Sequence, residues 1–434
     1  MTTPAAARNT PYWWEDAPPR PLPERALPKS ADVVIVGAGY AGLSAALTLA
    51  RAGRAVTVLD RMNPGEGASS RNGGITSGNI RLGFDQLRRR YGEERALAIE
   101  AEGKTAREFL RDMIRAEGLD CDFQQTGRFY GVIGAREYEA AARSAENLHR
   151  KLGIESFAVP HAEQRRYVGT DYYRGGSVRM DIGGLHPAKF HAEILRITLA
   201  AGASVHSGIA VTGIEGDKGR FRVVTSGGEL AARQVLVCTN GYTDGAAPYL
   251  RRRLVPVRSR MIATEPLTPE VMDRLMPRRM MVGEGKVLGY YYRPSPDGRS
   301  ILLGGRDATQ SGDSAHPTIM LRQGLIELFP ELEGVTLSHS WFGNVAMHQD
   351  MIPRIFEHKG LTYATGFCGS GVVWAPWIGN RAALKLLGDD AARSAFDMRP
   401  PPFVPLYAGK PWFMPPLIQA YRLQDRIALA RAQR

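Results

Sequence analysis

The sequence predicts an α/β fold (α+β overall), with a Rossmann-like dinucleotide-binding domain built from discontinuous segments and an inserted antiparallel-sheet substrate domain. Three observations predict it. A strand, a glycine turn, a helix and a second strand follow one another from Asp32 to Asp60, which is one βαβ unit. A second strand running into a glycine turn and an Ala/Leu helix occupies residues 361–387. Between them, residues 255–335 are rich in Pro, Tyr and short alternating strands, the pattern of an antiparallel sheet. The chain has 434 residues, room for two or three domains at roughly 100–200 residues each. Its 44% hydrophobic and 23% charged content excludes a disordered tail, a disulfide-stapled mini-domain and a collagen-like repeat.

Each element follows from local chemistry. The first thirty residues hold seven prolines and no helical or strand period, so 1–30 forms an extended arm. Tyr12, Trp13 and Trp14 should pin that arm to the body, because three adjacent aromatics do not stay in open water. Residues 32–36 are apolar enough for a parallel strand buried on both faces. Residues 43–52 form an Ala/Leu helix ending at Gly53, and residues 55–59 a second strand closed by Asp60. A Gly/Ser loop at 65–78 leads into a charged amphipathic helical region over about 85–117. Short strands surround 129–133, a helix spans 187–201, and strands cover 221–225 and 234–238. From Arg399 a Pro- and aromatic-rich arm ends in a basic helix. The domain plan assigns 31–84, 150–245 and 336–390 to the dinucleotide domain and 85–149 and 246–335 to the substrate domain. Residues 391–434 are the C-terminal arm and helix.

Charge and cysteine usage narrow the partners. Fifty-six Lys+Arg against 44 Asp+Glu give +12, but the arginines are scattered and their short runs lack interleaved aromatics. This is a solvated basic face, and no nucleic acid is expected. Cys121, Cys238 and Cys368 are too few and too far apart for a disulfide framework or a metal site, so the sequence predicts no metal and a reducing, cytoplasmic location. The N-terminus lacks an apolar core behind a basic start, and the apolar run 33–50 carries motif glycines, so neither a signal peptide nor a membrane span is expected.

The chemistry begins at Gly37-Ala38-Gly39-Tyr40-Ala41-Gly42, which follows a strand, opens a helix, and precedes Asp60 by eighteen residues. Gly37 makes the tight turn, Gly39 lets a pyrophosphate approach the backbone, and Gly42 lets helix and strand pack closely. The helix N-terminus stabilises the phosphate charge, and Asp60 is placed to accept from a ribose hydroxyl. The small residues of Gly67-Ala68-Ser69-Ser70-Arg71-Asn72-Gly73-Gly74 offer backbone donors to the rest of a long dinucleotide. Gly366-Phe367-Cys368-Gly369-Ser370-Gly371-Val372, between strand and helix, forms a second anion-stabilising nest.

In these motifs the chain resembles the D-amino-acid oxidase family of FAD-dependent oxidoreductases. Within that family it is most similar to the bacterial gamma-glutamylputrescine oxidase-like branch. The same likeness extends through Asp60-Arg61, Gly183-Gly184-Leu185-His186-Pro187-Ala188-Lys189, Cys238-Thr239-Asn240-Gly241-Tyr242-Thr243, Val255-Pro256-Val257-Arg258 and Ala263-Thr264-Glu265-Pro266-Leu267. The resemblance implies FAD and oxidation of a C–N bond in an amine or amino acid: hydride transfer to flavin, imine hydrolysis, and reoxidation by dioxygen to hydrogen peroxide. It implies that Tyr40 and Ala41 accompany the fingerprint glycines and that Ser69, Ser70, Arg71, Asn72, Gly73 and Gly74 run along the flavin. It further implies that Val211 meets the adenine, that Thr239, Asn240 and Gly241 lie near the cofactor, and that Gly366 and Gly369 to Val372 cradle the ring.

Two departures from the family pattern matter. Some relatives attach the flavin to a cysteine, but residues 299–303 contain none, so FAD should be non-covalent. Some relatives carry a lysine after the C-terminal nest, where this chain reads Val372-Val373-Trp374. That argues against a simple N-methyl amino acid and for a longer, less acidic amine, such as a gamma-glutamylated diamine or a secondary amine, against an aromatic wall. Candidate catalytic residues are Tyr292 and His348, and candidate substrate-binding residues are Arg258, Tyr291, Arg306 and Trp374. Simpler roles compete with these: a packing aromatic strand at 290–292, a structural histidine, and interdomain ion pairs. An amine or D-amino-acid dehydrogenase passing electrons to a quinone or carrier, and a non-catalytic FAD-binding protein, are the alternative functions.

Overall fold

Runs of Val and Ile separated by Ala/Leu helices sort the chain into two eight-stranded sheets in a computed structural model, which describes residues 7–217, 219–307 and 315–432. The chain runs β1 (Ser30–Val36), α1 (Tyr40–Arg51), β2 (Val56–Leu59), α2 (Phe84–Tyr91), α3 (Glu93–Ala116), β3 (Arg128–Gly131), α4 (Ala135–Leu152), β4 (Ser156–Val159), β5 (Gly176–Arg179), α5 (Pro187–Ala200), β6 (Ser204–His206), β7 (Val211–Asp217), β8 (Arg220–Thr225) and β9 (Gly228–Val237). It continues through α6 (Pro248–Arg251), β10 (Val255–Thr264), α7 (Pro269–Leu275), β11 (Met281–Glu284), β12 (Tyr291–Pro294), β13 (Ile301–Arg306), α8 (Ala315–Leu328), β14 (Leu337–Met347), β15 (Arg354–His358), β16 (Leu361–Thr365), α9 (Gly371–Leu387) and α10 (Met414–Ala432).

The first sheet has the order β15-β16-β9-β1-β2-β6, with β8 antiparallel to β9 and β7 antiparallel to β8. Its centre is parallel: β1 pairs with β2 on one side and β9 on the other, and β9 pairs with β16. Strands buried on both faces need covering helices. On one face α1, α5, α9 and α3 enclose a core that includes Val33, Ile35, Leu43, Phe190, Ile99 and Trp374. The second sheet has the order β14-β10-β13-β12-β11-β3-β5-β4 and is antiparallel except between β11 and β3. Its core, around Phe129, Ile262, Tyr292 and Leu325, lies against α7 and α8.

The two-sheet architecture matches the expected fold class, but the segment assignments need correction. β4 and β5, within 150–245, belong to the second sheet, and so does β14 at the start of 336–390. Conversely, α2 and α3, within 85–149, bury Leu87, Ala96, Ile99, Ala106 and Leu110 in the dinucleotide-side core. The reason is physical: pairing partners of short strands and the docking face of a helix are non-local properties. The single helical region expected over 85–117 is broken at Gly92, whose φ of 83° no helix continues through.

The N-terminal arm is pinned as its aromatics suggest. Trp13 is fully buried, donates its indole N–H to the Asn72 carbonyl at 2.8 Å, and meets the His186 ring edge-on at 4.9 Å. Trp14 donates to Ser70 Oγ at 2.8 Å. Among the described residues no helix is long and apolar enough to cross a membrane, and no cluster of His, Cys, Asp and Glu could hold a metal ion.

Candidate active site

A cavity of about 660 Å³ lies where the two sheets meet, bordered by the ends of β1, β2 and β9 on one side and by β10, β12, β13 and β14 on the other. That volume lies within the range of about 300–1,000 Å³ usual for cofactor and ligand sites.

Its first end is the glycine turn. Gly37 sits at φ 105° and donates its N–H to the Leu59 carbonyl at 2.8 Å, closing the turn between β1 and α1. A Cβ on Gly42 would collide with the Gly37 carbonyl, so only glycine lets α1 pack this tightly on the strand end. A Cβ on Gly39 would come within 2.9 Å of Ser69 Oγ, and that oxygen also accepts the Tyr40 N–H at 3.1 Å. The Tyr40 ring turns away, donating its hydroxyl to the Pro187 carbonyl at 2.8 Å. Asp60 closes β2 at the cavity wall, its carboxylate accepting the N–H of Ala38 at 2.8 Å and of Met62 at 2.9 Å. Burial raises its pKa, opposed by these two N–H groups. Arg61 reaches across to Asp244 at 2.6 Å. Ile209, Val211 and Ile214 supply an apolar wall at this end.

The middle is the loop 67–74, which Asn72 braces. Its Nδ2 donates to the Ala68 and Ser69 carbonyls and its Oδ1 accepts the Gly74 N–H, all within 3.0 Å. Arg71 donates Nε to the Glu66 carbonyl at 2.7 Å and lies 4.5 Å from the Trp14 ring centre. Asn240, just after β9, is tied to the C-terminal nest, since its Oδ1 accepts the Gly366 N–H at 3.0 Å. In the nest, Gly366, Cys368 and Gly369 all take positive φ, bending the chain into the start of α9. Ser370 Oγ lies 3.3 Å from Ser77 Oγ. Cys368 donates its thiol to the Gly366 carbonyl at 2.9 Å, and burial pushes its pKa up to about 11.

The far end is polar. The Tyr291 hydroxyl lies 3.1 Å from Ser259 Oγ, and its ring packs over Gly73 and Gly304. Arg306 borders it, its pKa lowered to about 9 by burial and by Arg81. Arg81 donates Nε to the Cys368 carbonyl at 2.9 Å. Arg128, Tyr130, Tyr290 and the Glu284–Lys286 pair, 2.9 Å apart, complete the lining. Sequence reasoning missed Arg81, Arg128, Tyr130 and Ser259. The first follows the glycine loop directly, and the Arg-Phe-Tyr alternation of β3 could have marked the next two.

Of the residues singled out from sequence, Gly37, Gly39, Tyr40, Ala41, Asp60, Arg61, Ser69, Arg71, Asn72, Gly73, Gly74, Val211, Thr239, Asn240, Gly369, Ser370, Gly371, Val372, Tyr291 and Arg306 line the cavity. Gly42, Ser70, Gly241 and Gly366 lie behind the wall and shape it. Four substrate-side candidates are not brought there. Tyr292 follows Tyr291 on β12, so the strand's alternation points it into the second core, where its hydroxyl meets Tyr173 at 3.3 Å. Arg258 precedes Ser259 on β10 and likewise faces away, 3.6 Å from Asp307 and 3.6 Å from the Phe342 ring centre. His348 is buried against Gly366 with Nδ1 2.9 Å from the Ile352 carbonyl, and burial lowers its pKa to about 3. Trp374 lies two residues beyond Val372, about 200° round α9; it is buried against Phe396 and donates to the Asn79 carbonyl at 3.3 Å. The aromatic wall assigned to it is therefore not part of the cavity.

These features fit a dinucleotide: backbone stripped of Cβ atoms along one wall, a carboxylate acceptor at a strand end, and a second nest further on. Over residues 32–384 the sequence matches the DAO family, described as FAD dependent oxidoreductase. It is 29% identical over 408 residues to the gamma-glutamylputrescine oxidoreductase of Escherichia coli, covering 92% of this chain and 94% of that one. It is also 29% identical over 388 residues to the probable oxidoreductase OrdL of Haemophilus influenzae, covering 88% of each. Glycine oxidase from Geobacillus kaustophilus shares the fold, with a TM-score of 0.72 at 20% identity, covering 85% of this chain and 97% of that one.

Proposed function

Since the chain belongs to the DAO family of FAD-dependent oxidoreductases, we propose that it oxidises a C–N bond of an elongated amine, with a gamma-glutamylated diamine as the leading example. The observation that carries this reading is one continuous cavity with a dinucleotide cradle at one end and a polar compartment of arginines and tyrosines at the other. The similarity over nearly the whole length to a gamma-glutamylputrescine oxidoreductase supports the substrate class.

The chemistry supplied by FAD is two-electron oxidation of the C–N bond to an imine, which water hydrolyses, with dioxygen as terminal acceptor. The chain's residues bind and orient. The α1 N-terminus and the glycine turn hold the pyrophosphate charge, and Asp60 accepts from the ribose hydroxyls. The nest at 369–372, at the start of α9, would hold the ring and favour negative charge on it. Tyr291, fixed by Ser259, forms a wall of the substrate compartment beside Arg306. Non-covalent binding is supported by Cys368, whose thiol is occupied by a carbonyl and kept protonated by burial. Holding the reacting carbon in place supplies much of the rate. A cytoplasmic enzyme is the corresponding setting, consistent with three buried free cysteines.

Anaerobic titration of the purified holoenzyme with polyamines, gamma-glutamylated diamines, N-methyl amino acids and D-amino acids tests this. Bleaching of the flavin band by the gamma-glutamylated diamine, and oxygen uptake matching product on admitting air, are the expected results. Bleaching by none of the panel defeats the amine reading, and bleaching without oxygen uptake replaces the oxidase with a dehydrogenase.

A further inference from the structure

The proposed function leaves part of the cavity's charge unaccounted for. Among its lining residues Arg61 pairs with Asp244 and Lys286 with Glu284, while Arg71 is held by the Glu66 carbonyl and the Trp14 ring. Arg81, Arg128 and Arg306 line the same cavity and form no ion pair with any described residue. Arg128 and Arg306 are half-buried and Arg81 is exposed at the cavity mouth, and cations gathered on a cavity wall without a counter-charge favour an anionic ligand. This cluster also disagrees with the less acidic amine that the missing lysine suggested.

The three are spread along the compartment. Arg306 and Arg81 both lie beside Cys368 of the nest. Arg128 sits on β3, which is separated from the β13 strand of Arg306 by β12 and β11. Those three strand spacings are about 14 Å, and Arg81 is the electrostatic neighbour of both ends. Arg128 has a built setting. Its Nε is buried without a hydrogen-bond partner, and its guanidinium lies 5.8 Å from the Tyr130 ring centre. A Cβ on Gly283 of the adjoining strand would collide with its Nη2, so the sheet leaves room for the guanidinium only with glycine there.

We infer that Arg128, with Arg81 beside it, binds a carboxylate at the end of the substrate remote from the reacting C–N bond, so that the preferred amines are elongated and carry a terminal carboxylate. This rests on the amine-oxidation reading for its chemistry, but not for its binding test.

The test compares holoenzyme of wild type, R128M and R128Q on N-glutarylputrescine and on N-butyrylputrescine, which keeps the amine end and differs only in lacking the terminal carboxylate. Losing one charge-assisted contact should lower kcat/KM for the carboxylated amine on the order of 10–100-fold, mainly through KM, and shrink its advantage over the carboxylate-free analogue by about the same factor. Glutarate binding, read from perturbation of the flavin spectrum, should weaken in parallel. A wild type that handles both amines equally, or variants that keep both the preference and the glutarate affinity, overturns the subsite. If neither amine is oxidised yet glutarate binding depends on Arg128, the subsite stands and the amine reading falls. Equal flavin content shows which variants are folded; if both lose their flavin, the wild-type preference decides.

Discussion

At the scale of single residues, Gly42 has little latitude, because its missing Cβ leaves the space into which the Gly37 carbonyl projects. Replacing it with valine would force α1 off the end of β1 and open the turn. G42V is therefore expected to purify with at most about a tenth of the wild-type flavin content, read as the ratio of 450 to 280 nm absorbance. Asp60 is more tolerant. It holds the Ala38 and Met62 N–H groups as well as any ribose hydroxyl, and asparagine preserves one acceptor while losing the charge. D60N should weaken FAD binding roughly tenfold, the size of one hydrogen bond to a charged group. Fluorescence of released flavin on dilution measures this, and an unchanged dissociation constant would remove Asp60 from the cofactor site. Neighbouring tyrosines on β12 separate catalytic geometry from packing. Y291F loses the Ser259 contact at the cavity wall and should alter kcat/KM, whereas Y292F loses only the Tyr173 contact in the core. Y292F should cost about 1 kcal/mol of stability and leave the kinetic constants in place.

At the scale of elements, the N-terminal arm acts as a clamp on the cofactor loop. Trp13 and Trp14 donate their indole N–H groups to Asn72 and Ser70, and Trp341 of β14 donates to the Arg71 carbonyl at 2.8 Å, so three tryptophans hold the 68–74 segment from outside. W13A should destabilise the fold by about 3–5 kcal/mol, as other large-to-small core changes do, and it should speed FAD release because Asn72 loses its outer support. Thermal melting and stopped-flow flavin release check the two effects. Faster melting with an unaltered release rate would make the arm purely structural. The clamp also shows what a sequence discloses. Three consecutive aromatics in a proline-rich segment announce burial, but not against which loop. The glycine turn with Asp60 was legible because its function depends on neighbours within one βαβ unit of about thirty residues, and the nest before α9 because its glycines lie close together in the chain. The far end of the cavity was not. Arg81, Arg128 and Arg306 come from a loop, β3 and β13, and they line one cavity only because the second sheet sets β3 and β13 along the same wall with β11 and β12 between them. Strand alternation then decides between Tyr291 and Tyr292, and between Arg258 and Ser259. A one-residue choice of face cannot be made before the sheet is known.

At the scale of the whole molecule, the two sheets bury histidines at their junctions and keep them neutral. His186 accepts the Lys189 N–H on Nδ1, capping α5 beside Trp13. His191 lies 2.8 Å from the Ala38 carbonyl and packs against Gly65, and His348 packs against Gly366. Burial holds the pKa of His186 and of His191 down to about 4, and that of His348 to about 3. All three folded values lie below the ordinary histidine range near 6.5. As pH falls, the unfolded chain therefore takes up protons that the folded chain refuses, and stability drains toward the unfolded state. Their contribution is complete above about pH 6.5 and is lost progressively from there down to about pH 4 for His186 and His191 and about pH 3 for His348, by about 2–3 kcal/mol per histidine at pH 4.5. Asp60 and Glu284, whose pKa values burial raises, have the opposite sign, since their contribution is greatest in acid and declines as pH rises. Three histidines with large depressions outnumber these two carboxylates in the window between pH 6.5 and 5. Melting temperature measured from pH 7.5 to 4.5 at fixed salt and excess FAD should hold level to about 6.5 and then fall steeply. H348Q, which removes the most strongly depressed of the three, should melt lower at neutral pH and show a shallower decline in acid. A wild-type curve that stays flat to pH 5 would mean these rings are not buried as neutral groups, and the packing of the cofactor turn and nest against them would have to be different.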